Sequence, residues 1–322
     1  MLAAQCTSLE GPSSIRVVDV PPPALGPRDV RVAVSYAAVN FMDLLIVAGQ
    51  YQYKPQLPFV PGHDAAGTVI EVGSEVVGIS PGARVSVGVS YGAFAEQIVA
   101  PQARIVELPD GVDFRMGAAY RASYCTALYA LENRGSLKPG ETLVVTGAAG
   151  GVGLATVQIA RVLGAKTIGI VGSLTKASCV TAEGATAIVL DDSCKLRNEI
   201  LHQCPDGFDV ALDTVGGPRL IDLLGAAAWD SRILVVGFTA GIPAIPANRL
   251  LLRSASVVGV NYGAWQDKDN AATLRIHTTV LNWISKKRIL PRIAAEYPLS
   301  QTEEALRALA LRESIGKLLI RI

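Results

Sequence analysis

The chain changes its hydrophobic rhythm near residue 121 and changes back towards its end. Up to about residue 121, apolar residues come in short β-branched runs broken by Pro and Gly: IRVVDV, VRVAVSYAAV, AAGTVIEVG, GARVSVG, FAEQIVA and RIVELP. That spacing predicts a mostly β, partly open barrel. Pro21, Pro22 and Pro23 force an extended connection, since each fixes its own φ and biases its predecessor away from helix. Residues 40–64 (NFMDLLIVAGQYQYKPQLPFVPGHD) read as a short helix and a Pro-rich loop, the kind of segment that carries chemistry more often than strands do. Residues 117–134 are helical in composition. Beyond them the runs LVV, TIGIVG, TAIVLD, FDVALD, RILVVG and SVVGV alternate with helical stretches, which predicts a parallel, doubly wound sheet buried on both faces. A long helix over 267–288, a helix over 302–310 and a last strand, KLLIRI, close the chain. The expected organisation is a barrel domain of 1–121 and 264–322, interrupted by an α/β domain of 122–263.

Length and composition narrow the function classes. A chain of 322 residues is long for one core, so two domains are the default. Its 29 basic and 28 acidic side chains nearly cancel and form no block, which leaves no electrostatic footprint for nucleic acid or an anionic membrane. Small-molecule chemistry becomes the leading class. The five cysteines, Cys6, Cys125, Cys179, Cys194 and Cys204, are odd in number and contain no C-x-x-C, so reduced thiols are expected. No leader pattern and no bilayer-length apolar run is present, and a cytoplasmic location is expected.

The stretch ETLVVTGAAGGVGLATVQIARVLG combines a strand, a glycine-rich turn and a helix. Gly150, Gly151 and Gly153 remove side chains where backbone N–H groups approach phosphate oxygens, and the helix that opens at Val152 adds its partial positive charge. This is the expected pyrophosphate cradle of a dinucleotide (Rossmann) domain. Ala148 replaces the first glycine of the fingerprint, a one-methyl change compatible with binding. An NAD-specific domain usually places a carboxylate roughly 20 residues further on to hold the ribose 2′-hydroxyl. Residues 171–176 read VGSLTK, with no acid. Ser173 can donate a hydrogen bond and Lys176 supplies charge, so NADPH is the expected cofactor; Lys176 as a solvated helix position is the plainer alternative.

Taken together, N-x-x-D at Asn40 to Asp43, G-x-Y at Gly49 to Tyr51, PGHDAAGTV from Pro61, LKPGETLVVTGAAGGVG, DTVGG from Asp213 and ESIGKLLI resemble the medium-chain dehydrogenase/reductase superfamily, in its zinc-independent, zeta-crystallin-like quinone oxidoreductase branch. The resemblance implies a GroES-like barrel domain holding a Rossmann domain. Zinc alcohol dehydrogenases of the superfamily have a cysteine where Asn40 stands, a His-Glu pair where His63 and Asp64 stand, and a second cysteine near Tyr120 and Arg121. One imidazole without thiolate partners does not make a three-ligand zinc site, so no metal is expected. The resemblance further implies that Lys176 meets the cofactor phosphate. Thr126, Gly237, Phe238 and Asn261 are expected on the cofactor side, Asn40 near the nicotinamide, and Tyr51 either as proton donor or as pocket lining. Arg121 is expected either to pair with an acid such as Asp64 or Glu132, or to meet an anion of cofactor or substrate. The expected activity is NADPH-dependent reduction of a quinone or other conjugated carbonyl. An enone or enoyl-thioester reductase, and an NADPH-binding structural or RNA-binding protein with little turnover, are the alternatives. Residues 256–260 would leave a sheet edge with unpaired backbone groups, so a homodimer through that edge is expected.

Overall fold

The computed structural model describes residues 1–191 and 195–322; Cys194 lies outside the described residues. The chain forms two compact units, Met1–Ala122 with His277–Ile322, and Ser123–Ile276. The first division adjoins the expected 121/122. The second falls inside the helix Asn270–Ser285 and not at 263/264. An unbroken helical pattern carries no Pro or Gly punctuation at that point, so composition could not mark it.

In the first unit β1 (Leu2–Cys6) pairs antiparallel with β2 (Ile15–Asp19). The main sheet uses β3 (Asp29–Val39), β4 (Asp64–Val72), β5 (Arg84–Gly88), β6 (Gln97–Pro101) and β7 (Ile105–Glu107). These strands run antiparallel in the order β3-β4-β5-β7, with β6 on β3. Along β3 the inward residues are Val30, Val32 and Val34, the period of a half-buried strand. A register shift between Val34 and Tyr36 resets that period, after which Ala37, Ala38 and Val39 are all buried. The strand thereby delivers Asn40 to the start of the helix Phe41–Val47.

The second unit holds β8 (Thr142–Val145), β9 (Lys166–Val171), β10 (Ala187–Leu190), β11 (Phe208–Asp213), β12 (Ala227–Val235) and β13 (Ser256–Gly259). Among the described residues they form one parallel sheet in the order β10-β9-β8-β11-β12-β13. Strand order reverses beside β8, so the carboxyl ends of β8 and β11 frame the switch point at which such sheets bind ligands. Val144, Ile168, Ile170, Phe208, Ala211 and Ile233 share the core of this unit.

The chain then adds β14 (Ile293–Pro298) and β15 (Lys317–Arg321) to the first unit. β15 pairs antiparallel with β3 and parallel with β14, completing the order β14-β15-β3-β4-β5-β7. The last strand thus lies beside the strand that leads into Asn40. Residues 114–134 are helical, as expected, with wider π turns at Arg121–Cys125 and Tyr129–Arg134. Within that run, Gly135 N reaches back five residues to Ala130 O at 2.8 Å.

Candidate functional site

In the first unit six polar side chains from distant parts of the sequence meet out of water: Asn40, Asp43, His63, Asp64, Arg121 and Lys317, each 7% exposed or less. Asp43 closes the start of the helix Phe41–Val47, its Oδ2 accepting from Asn40 N at 2.7 Å, while its Oδ1 pairs with His63 Nδ1. Of the Asn40 carboxamide, Oδ1 accepts from Lys317 Nζ at 2.5 Å, and Nδ2 donates to Asp64 Oδ2 at 3.1 Å. Asp64 Oδ2 also accepts from Ala122 N at 3.2 Å, and Asp64 Oδ1 faces Arg121 Nε at 4.0 Å. Arg121 lies against β5: its Nη1 donates to Ser86 O at 3.5 Å, and a Cβ at Gly88 would stand 2.7 Å from its Nη2 and 2.8 Å from its Nε, so a side chain there would require the guanidinium to shift. Lys317 donates to Val39 O as well, at 3.1 Å.

Two carboxylates, Asp43 and Asp64, face the cationic side chains of Arg121 and Lys317 and the imidazole of His63, since a buried charge persists only when paired. Burial alone would drive the imidazole of His63 neutral, but the charge and hydrogen bond of Asp43, followed by the charge of Asp64, outweigh it and raise its pKa. Burial lowers the pKa of Lys317, and the charges of Asp64 and Asp43 offset part of that fall. Beside the cluster, Tyr120 Oη lies 3.0 Å from His277 Nδ1, and burial with the Arg121 and Arg104 charges pushes the His277 pKa well down. Tyr51 is half-buried against the core of this unit. Burial, with the Asp43 charge behind it, raises its pKa, so its phenol keeps its proton across the neutral range.

This donor set does not fit catalytic zinc. His63 spends Nδ1 on Asp43, Asn40 offers an amide where a thiolate is needed, and the Arg121 guanidinium stands against Asp64. Among the described residues no group of three or more His, Cys, Asp or Glu side chains is placed to hold a metal ion.

The second unit builds its site from backbone. The turn after β8 runs from Thr146 to Gly150, and the helix Gly151–Leu163 follows. Its first internal bond is Leu154 N to Gly150 O at 2.8 Å, so the amides of Gly151, Val152 and Gly153 precede the ladder. Gly153 differs from its expected role. It is buried, and a Cβ there would stand 2.2 Å from Gly147 O and 2.8 Å from the Ala148 Cα. Its lack of a side chain seats the helix against the turn, beside the half-buried Gly151 and Val152. Ala148 is fully buried and ties the turn to β9 through its N–H on Ile170 O at 3.1 Å.

Ser173 caps the helix Leu174–Ala182, Oγ accepting from Lys176 N at 3.4 Å, which leaves its hydroxyl hydrogen to donate. A Cβ at Gly172 would meet nothing within 4 Å, so the chain leaves open space there. Gly237 and Phe238 follow β12, Asn261 follows β13, and Thr126 is half-buried on the helical run. Because the strands are parallel, the turns after β8, β9, β12 and β13 share one edge of the sheet. Asn261 Oδ1 is engaged as the cap of the helix Tyr262–Trp265, accepting from Ala264 N at 3.0 Å.

Three groups that the sequence did not single out as site residues hold these places. Asp213, fully buried, accepts from Thr146 Oγ1 at 2.6 Å, Val215 N at 3.0 Å and Gly216 N at 3.1 Å, locking the turns after β8 and β11 together. Asp43 and Lys317 hold Asn40. All three lie within motifs noted in the sequence, DTVGG, N-x-x-D and ESIGKLLI, so their positions were visible and their partners were not.

Residues 26–110 match the family described as Alcohol dehydrogenase GroES-like domain, and residues 151–276 match Zinc-binding dehydrogenase. The chain is 36% identical to mouse quinone oxidoreductase-like protein 2 over 323 residues, covering 99% of this chain and 92% of the mouse protein. It belongs to the medium-chain dehydrogenase/reductase superfamily, among the quinone oxidoreductases. Rat quinone oxidoreductase is 31% identical over 308 residues, 95% of this chain and 92% of its own. Escherichia coli quinone oxidoreductase, solved in complex with NADPH, superposes with a TM-score of 0.94 at 25% identity, all of both chains being covered. Like these relatives, the chain is an oxidoreductase.

Proposed function

We propose that the protein is a zinc-independent, NADPH-dependent reductase of quinones or other conjugated carbonyl compounds. The observation that carries this reading is the pair of turns after β8 and β9: amides ahead of a helix ladder, open space at Gly172, and Ser173 and Lys176 in place of a carboxylate. The E. coli relative's complex with NADPH supports the same cofactor here. Gly151 and Val152 would hold the pyrophosphate, Ser173 and Lys176 the 2′-phosphate, and the loops at Gly237, Phe238 and Asn261 the nicotinamide half, with Thr126 beside them. NADPH, when bound, supplies the hydride. The chain's own part on the acceptor side is to hold polar groups in fixed directions through Asn40, and to keep a proton on Tyr51 Oη for acceptors whose reduction leaves a carbon enolate. A quinone's reduced oxygens take protons from water, so Tyr51 then serves as a wall. A second reading, an enone or enoyl-thioester reductase, rests on that protonated Tyr51. A cytoplasmic location accompanies the proposal on cysteine usage, and the near-neutral charge balance points away from nucleic acid. No described helix is long and apolar enough to cross a membrane.

We also infer a homodimer through the β13 edge. β13 is the last strand in the order of the described sheet, and the helix that leads into it, Ala247–Arg253, has no buried residue, with Leu251 and Leu252 80% and 71% exposed.

Steady-state oxidation of NADPH and NADH against a panel of quinones and enones, with and without a chelator, tests the reading. The expected outcome is NADPH-preferring turnover that the chelator leaves unchanged. Equal use of NADH, or activity lost on metal removal, sinks it.

A further inference from the structure

The Asn40 carboxamide is clamped between two groups of opposite hydrogen-bonding character. An ammonium offers only hydrogens and a carboxylate only lone pairs. Lys317 Nζ at 2.5 Å therefore has to face Oδ1, and Asp64 Oδ2 at 3.1 Å has to face Nδ2, so each neighbour fixes the amide's direction independently of the other. At the same helix start Asp43 Oδ2 accepts from Asn40 N at 2.7 Å, the reciprocal half of a capping box with the Asn40 side chain.

Lys317 is a costly residue for packing alone. It is 5% exposed at the head of β15, and a methionine would fill the same volume without taking a charge out of water. What an ammonium adds there is direction. Its two acceptors, Asn40 Oδ1 and Val39 O, are consecutive residues at the end of β3, although Asn40 and Lys317 are 277 positions apart in the chain. We propose that Lys317 is a positioning residue: it holds the Asn40 carboxamide in one orientation for the acceptor, and the ion pair of Asp64 with Arg121 braces the other end. The proposal rests on Asn40 serving the acceptor side.

Two measurements on the full-length protein test it. Selective 15N-asparagine labelling resolves the Asn40 side-chain NH2, assigned by its loss in Asn40→Ala. In the wild type its hydrogens exchange slowly. In Lys317→Met, which keeps the stem and drops the charge, side-chain exchange accelerates by about tenfold or more while the β3 backbone amides stay protected. Unchanged exchange of the Asn40 side chain overturns the proposal. The second measurement is a double-variant cycle on NADPH-dependent reduction of 1,4-benzoquinone. Lys317→Met lowers kcat about tenfold with the Kd for NADPH unchanged, and adds nothing further in an Asn40→Ala background. Losses that add in the double variant overturn the link through Asn40. Should Lys317→Met not fold, Lys317→Gln removes the charge and keeps a donor, and the same exchange readout applies. A wild type that oxidises NADPH with neither quinones nor enones defeats the functional reading, and amide exchange alone then decides whether Lys317 holds Asn40.

Discussion

The two units build their sites from different materials. In the second unit the working groups are backbone amides in one contiguous turn, with glycines where atoms crowd and a single buried carboxylate, Asp213, tying the turn to its neighbour. In the first unit the working groups are side chains delivered by the end of β3, the helix after it, the start of β4, the π turn that opens at Arg121 and the last strand. A backbone site tolerates many side-chain changes but depends on a few glycines. A side-chain site depends on every member, because removing one leaves another charged and buried.

That difference makes the largest expected effect a first-unit one. Asp64→Ala takes away the acceptor of Asn40 Nδ2 and of Ala122 N, and the carboxylate facing Arg121. Loss of one partner of a buried ion pair costs about 3–5 kcal/mol. Urea unfolding monitored by circular dichroism is expected to show a destabilisation of that size. A loss under about 1 kcal/mol would place the cluster with surface pairs and break the comparison.

The second unit predicts a smaller effect confined to one ligand. Lys176→Ala is expected to weaken NADPH by about 1.5–3 kcal/mol, the worth of a hydrogen bond to a charged group, with unfolding stability and NADH affinity little changed. Calorimetric titration with both cofactors measures it. Equal weakening for NADPH and NADH would remove Lys176 from the 2′-phosphate.

The same contrast explains what the sequence disclosed. The parallel sheet and the glycine turn were legible because each is specified within a few consecutive residues: β-branched runs, then GAAGGVG, then helical spacing. Even there a detail escaped, since Gly153 serves the packing of helix on turn, a contact with Gly147 that motif spacing does not display. In the first unit the sequence names residues without their partners. Asn40, His63 and Arg121 read as replacements or remnants of a metal set, with Asp64 or Glu132 as an expected partner for Arg121, and Asp64 Oδ1 lies 4.0 Å from its Nε. Lys317 looked like the start of a terminal strand. Only the pairing of β15 with β3 turns it into a neighbour of Asn40. The second division between the units is not legible for the opposite reason, as a helix runs through it without a break.

The smallest expected effect separates two histidines of the first unit by pH. His277 has its pKa pushed well below the ordinary value by burial and by the charges of Arg121 and Arg104, so the folded chain refuses a proton that the unfolded chain accepts. Stability is therefore lost as pH falls below about 6.5, by at most about 1.4 kcal/mol per pH unit from this one group. His63 has the opposite sign. Asp43 and Asp64 raise its pKa against the effect of burial, so its contribution is fully present below the unfolded value and is lost as pH rises through the folded one. Urea unfolding at about pH 5, 6, 7 and 8 reads the sum. His277→Gln retains hydrogen-bonding capacity towards Tyr120 without titrating, and its acid limb is expected to flatten. His63→Gln removes a group whose contribution fades only above the unfolded value, so its slope below about 6.5 is expected to match that of the wild type, while the fall in stability on going up to about pH 8 is expected to flatten. If His63→Gln flattens the limb below about 6.5 as His277→Gln does, the two imidazoles are not shifted in opposite directions, and the contrast between His63 beside Asp43 and His277 beside Tyr120 is wrong.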